Sequence, residues 1–156
     1  MPSRACNITH DGRVPIAPML LLTATAAYAG FQLTVHVVVY RQFSAVPPAA
    51  FGEYERFHQR RISGVVGPLF AAMIGAAGWL LFDRPPDVPW WAAAVPALLV
   101  AAILATTGLL AVPLHRRLAA GWDAATYRSL LRVDLCRTVL ASVNLILAMT
   151  LALLAP

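Results

Sequence analysis

Three observations in the sequence predict an all-α fold, an integral membrane four-helix bundle. Of the 156 residues, 60% are hydrophobic and only 12% charged, with a mean hydropathy of +0.69. Soluble globular domains hold about 45–50% apolar and about 25% charged residues. Disorder, a nucleic-acid-binding arm and most water-soluble folds are thereby excluded. The apolar residues also gather in four runs, each near the roughly 20 residues a helix needs to cross the hydrocarbon core. Finally, all twelve basic residues are arginines, spread between those runs and not collected into a patch. Arginines laid out that way speak of membrane topology and of no nucleic-acid partner.

Residues 1–15 read as an N-terminal tail, and 16–156 as one domain with spans at about 16–40, 62–82, 89–112 and 129–155. The first run, Met19–Val39, carries no charged side chain and ends where Arg41 to Pro48 begins. Ala49–Arg61 reads as a polar helical lead-in to the second run, Ile62–Phe82. Asp83-Arg84-Pro85-Pro86-Asp87 is a tight polar turn that no helix can continue through. The third run, Trp90–Val112, is expected to stop at Val112-Pro113. The fourth, Leu135–Ala155, holds one charge, Arg137, and its helix is expected to begin near Asp123, where a carboxylate suits the helix dipole. The short alternating strands of a closed barrel are missing.

Arginine placement sets an expected orientation. The two longer connections and their flanks carry Arg41, Arg56, Arg60, Arg61, Arg116, Arg117, Arg128 and Arg132, against Arg4, Arg13 and Arg84 on the other side. Eight against three predicts a cell-membrane protein with those connections in the cytoplasm and both termini outside. Trp79, Phe82, Trp90 and Trp91 would then form an aromatic belt at the outer interface. Arg4 and Arg13 before an apolar run, followed by Ala27-Tyr28-Ala29, have the look of a cleaved signal peptide; the run continues to Val39, which favours an uncleaved span. In the second span, Ala71 and Gly75 stand four apart, as do Ala72 and Ala76, and are expected to let neighbouring helices approach closely. Cys6 and Cys136 are expected on opposite sides of the membrane, too far apart for a disulfide.

Polar side chains are costly within a bilayer and therefore informative. Tyr28, Gln32, His36 and Tyr40 follow one another at i, i+4 spacing, on one face of the first helix. Tyr54, His58 and Arg61 repeat the pattern before the second span. His115 follows the third, and Asp134, Arg137 and Thr138 stand at i, i+3 and i+4 at the start of the fourth. All four helices thus send polar groups to one end, where Asp134 and Arg137 can neutralise each other. This predicts a pocket with His36, His58, His115, Arg61, Asp134 and Arg137 as catalytic candidates and Tyr28, Gln32, Tyr40 and Tyr54 as substrate contacts. No HExxH, CxxC or close histidine pair points to a metal. Two histidines from different helices could hold haem, yet His36 lies within a span while His58 and His115 flank theirs. A non-catalytic bundle that oligomerises or joins a complex through its alanine–glycine faces is the other alternative.

The stretch Gly108-Leu-Leu-Ala-Val-Pro113-Leu-His115, with Arg132-Val-Asp134-Leu-Cys-Arg137-Thr138, resembles the four-span anthrone-oxygenase-like family of bacterial proteins. That family carries Val-Pro-Leu-Asn after its third span and Trp-Asn-x-x-Arg-Thr at the start of its fourth. Here His115 and Asp134 stand in place of the asparagines and Val133 in place of the tryptophan. Gln32, His36, Tyr40, His58, Arg61 and Pro68 match recurring polar positions of a histidine-bearing branch. The resemblance implies a cofactor-independent oxygenase acting on a lipophilic phenolic or anthrone-type small molecule. Such chemistry needs a base, here His36 or His115, and a cation for the enolate, here Arg137 or Arg61. Tyr28 and Tyr40 would orient the substrate.

Overall fold

The structure, a computed structural model, describes residues 16–86 and 88–154; the tail with Arg4, Cys6 and Arg13, and also Asp87, Ala155 and Pro156, lie outside them. Four long helices follow one another: α1 (Ile16–Ala45), α2 (Pro48–Phe82), α3 (Trp90–Ala120) and α4 (Ala124–Leu154). Among the described residues there is no strand. The protein is an all-α, multi-pass membrane bundle. Short connections at 46–47, 83–89 and 121–123 make consecutive helices antiparallel. α1 and α3 each pack against both α2 and α4, so they face each other across the bundle's diagonal.

The helices outrun the hydrocarbon. At about 1.5 Å per residue, the 35 residues of α2 extend about 52 Å, against about 30 Å of hydrocarbon. The polar lead-in is therefore one continuous helix with the second span. The third helix corrects an expectation, because it runs through Val112-Pro113 to Ala120. Pro113 has no amide hydrogen, and its ring would crowd the carbonyl four residues back. The turn before it widens into a π-helical segment, Thr106–Ala111, in which the Val112 amide bonds the Thr107 carbonyl five residues back. That wider turn absorbs the proline without breaking the helix.

A second π turn, Val35–Val39, lies in α1. Each i, i+4 step along an ordinary helix overshoots its starting face by about 40°. Over three steps Tyr40 would drift well away from Tyr28. The π turn winds the face back, so that Gln32 and Tyr40 are both buried toward the same interior.

Helix ends are closed locally. α4 starts at Asp123, as expected, with the Asp123 carboxylate accepting the Thr126 amide at 2.7 Å. Hydrogen bonds from Thr126 hold that carboxyl below the usual aspartate range. At the far end of α2, the Trp79 indole donates to Asp83 at 3.0 Å, and Trp79, Phe82, Trp90 and Trp91 all face outward. Within the spans, hydroxyls of Thr25, Thr106, Thr107 and Thr138 donate to the carbonyl four residues back. This satisfies each hydroxyl inside its own helix, as a bilayer requires.

The interior divides in two. The half nearer the 83–89 connection is packed by Leu21, Met73, Leu80, Val100 and Ile103 with many alanines. The other half holds Val35, Tyr40, Phe43, Phe51, Leu118 and Leu130. Large side chains such as Leu98, Ile146 and Leu153 face lipid. The small residues of α2 are not all used as expected: Ala76 and Ala77 are buried, but Ala71, Ala72 and Gly75 face outward. A side chain at Gly64, Gly67, Gly75 or Gly78 would meet nothing within 4 Å. The close approach occurs instead at Gly52, where a Cβ would come within 3.0 Å of the Ala119 carbonyl oxygen.

Candidate functional site

Four helices contribute to one polar network in the second half. Asp134 of α4, fully buried, is its centre. Asp134 Oδ1 accepts from Gln32 Nε2 at 2.7 Å and from Arg137 Nη2 at 2.8 Å. Its Oδ2 pairs with His36 Nδ1 at 2.8 Å. Gln32 also donates to the Thr138 hydroxyl at 3.3 Å and accepts from the Tyr28 hydroxyl at 3.1 Å. Both oxygens of the buried carboxylate thus have partners, and Arg137 supplies a balancing charge.

A second centre lies beside it. His115 of α3 pairs through Nδ1 with Glu55 of α2 at 2.5 Å, and through Nε2 with the Tyr40 hydroxyl at 2.8 Å. Glu55 is fully buried. Gln59, one turn further along α2, donates to Glu55 at 3.1 Å and to the His115 carbonyl at 3.2 Å. The two centres meet at Tyr40, whose oxygen accepts from Arg137 Nη2 at 3.2 Å. Arg137 reaches α3 as well, donating to Thr107 at 3.5 Å from within the π turn. Tyr127 anchors the start of α4 to α1 by donating to the Tyr40 carbonyl at 2.9 Å.

A cavity of about 240 Å³ opens against this network. Its polar wall includes Gln32, Tyr40, His115 and Arg137, and its apolar wall includes Phe31, Val35, Ile62 and Val66. Of the ten site residues expected from sequence, these four line the cavity. Asp134 and Tyr28 hydrogen-bond lining residues without lining the cavity themselves, and His36 pairs with Asp134. His58 and Tyr54 belong instead to an aromatic cluster: their rings stack at 6.5 Å, Phe43 meets His58 edge-on at 5.1 Å, and His58 lies 6.0 Å from His115. Arg61 is a correction. Its guanidinium is exposed and lies over the Phe57 ring at 5.2 Å, on the outer face of α2, so it cannot hold a ligand in the cavity.

The sequence reading missed Glu55, Gln59 and Thr107. Glu55 sits among Glu53, Arg56 and Arg60, where a carboxylate reads as a solvated flank. The available signal was spacing: Phe51, Glu55 and His58 fall at i, i+4 and i+7, one helical stripe. Asn144, also buried, lies on the stripe of α4 that carries Arg137 and Ala141. Among the described residues, no three His, Cys, Asp or Glu side chains are arranged to hold a metal ion. Both nitrogens of His115 are engaged by protein groups, which leaves that ring no lone pair for a ligand. Set beside known protein families, curated proteins and solved structures, the chain matches none of them.

Proposed function

We propose that this multi-pass membrane protein is an anthrone-oxygenase-like enzyme acting on a lipophilic phenolic or anthrone-type substrate without a cofactor. The observation that carries the reading is the cavity: an apolar chamber whose polar wall presents a guanidinium, Arg137, beside a carboxylate-paired histidine, His115. Flat apolar rings suit the Phe31, Val35, Ile62 and Val66 side. An activated methylene carbon gives up a proton, and Arg137 holds the resulting enolate oxygen. The enolate takes up dioxygen, and the hydroperoxide so formed sheds water to leave a carbonyl. Of the two expected bases, His115 is better placed than His36 to be the destination of the methylene proton, because His115 lines the cavity while His36 faces Asp134. The partners in this reading are the bilayer and the small molecule. The Arg-rich end carrying the site lies in the cytoplasm of a cell-membrane protein with both termini outside.

The test is aerobic conversion of anthrone to anthraquinone by the purified full chain in detergent. Arg137→Gln and His115→Gln are each expected to slow turnover about 100-fold or more. Turnover unchanged in both variants overturns the reading. A second reading, a non-catalytic polar clasp, is favoured by the completeness of the Asp134 contacts. Under it the chain does not turn over anthrone, and the same variants lower only thermal stability.

A further inference from the structure

We propose that Glu55, His115 and Tyr40 form a proton relay in which the Tyr40 hydroxyl, not the imidazole, takes the proton from the substrate. The inference rests on the oxygenase reading for its substrate, and on geometry for everything else. A general base needs a free lone pair within reach of the proton it removes. His115 has none. Its Nδ1 is held by Glu55 at 2.5 Å and its Nε2 by the Tyr40 hydroxyl at 2.8 Å. An ionised Glu55 only accepts, so it fixes the His115 proton on Nδ1 and leaves Nε2 as the acceptor for Tyr40. Tyr40 is among the residues that line the cavity, and its hydroxyl oxygen accepts from Arg137 at 3.2 Å.

The step then balances without a co-reactant. The substrate C–H bond breaks and its proton passes to Tyr40 Oη. The proton already on Oη moves to His115 Nε2, and the electron pair stays on the substrate as an enolate beside Arg137. The tyrosine ends neutral, and the new charge is an imidazolium against the Glu55 carboxylate. Glu55 is suited to that role because, among the described residues, its hydrogen-bond partners are His115 and the neutral Gln59 and no arginine. Glu55 is fully buried, and the imidazolium formed on His115 would be its directly bonded counter-charge. The titratable and charged groups facing His115 are Glu55 and His58 from α2, Tyr40 from α1 and, through Tyr40, Arg137 from α4. Tyr40 is the catalytic residue of this relay, and Glu55 is a positioning residue.

Two measurements on the detergent-purified full chain test it. With anthrone as probe, Tyr40→Phe is expected to lower kcat about 100-fold or more, and Glu55→Gln to lower kcat about 10-fold or more with KM unchanged. Nitrogen NMR of labelled histidine, with the His115 signal assigned by its loss in His115→Gln, is expected to show Nδ1 protonated and Nε2 accepting. In Glu55→Gln that preference is expected to fade. A Tyr40→Phe rate within twofold of wild type, or a His115 ring protonated on Nε2 in the wild type, overturns the relay. A wild-type chain inert toward anthrone overturns the oxygenase reading instead, and the NMR result, which needs no turnover, still decides the proton order along Glu55, His115 and Tyr40 on which the relay depends.

Discussion

In the half of the bundle near the 83–89 connection, the helices meet through alanines with a few large apolar side chains between them. In the other half they meet through Asp134, Gln32, His36, Arg137, Tyr40, His115 and Glu55, with aromatic rings around them. Lipid tails are as apolar as leucine, so apolar contacts between spans gain little over contacts with lipid and rely on close packing alone. The first half could slide or rotate at small cost. The second half resists this, because Asp134, Gln32, His36, Arg137, Tyr40, His115 and Glu55 each hold specific partners on another helix, and losing them strands the group in a medium without water. The polar half therefore fixes how the four helices are arranged, and the apolar half conforms to it.

The comparison breaks most readily at its centre. Asp134→Leu leaves Arg137, His36 and Gln32 without their shared acceptor, and the lone buried guanidinium is expected to cost about 3–5 kcal/mol of stability in detergent. A loss below about 1 kcal/mol would mean that the polar half does not hold the bundle. In the apolar half the sign should reverse. Asn144 is fully buried, and neither its amide nitrogen nor its oxygen has a partner among the described residues. Asn144→Leu removes that unpaired amide at similar volume and is expected to stabilise by about 1 kcal/mol. Thermal unfolding of the two variants side by side measures both. A polar-to-apolar change that destabilises equally at 134 and 144 would erase the distinction between the halves.

The number and order of the spans were legible in the sequence because a bilayer imposes a length and a hydropathy that few other structures need. Gln32, His36, Tyr40, Asp134 and Arg137 were legible for a related reason: polar side chains inside apolar runs stand out, and their spacing names the shared face. Glu55 stayed hidden because it lies in a polar stretch, where only the third dimension separates a buried carboxylate from a solvated one. The π turns were hidden as well. Pro113 gave a reason to end a helix, and the sequence offered no way to see that Thr106–Ala111 would widen to let it continue. Arg61 failed in the opposite sense. It shares helical spacing with His58, yet its long side chain lies outward over Phe57. The glycines of α2 show the same limit, since composition marks a smooth face without saying whether protein or lipid meets it.

The central claim is that side chains far apart in sequence share one buried network across α1 and α4. A double-mutant cycle on Gln32 and Asp134, 102 residues apart and joined at 2.7 Å, tests it most directly. Unfolding free energies would be measured in detergent for Gln32→Leu, Asp134→Asn and the pair. A coupling of about 1 kcal/mol or more is expected for residues in one hydrogen-bonded network. Effects that add to within about 0.5 kcal/mol, as for distant independent sites, would contradict the account.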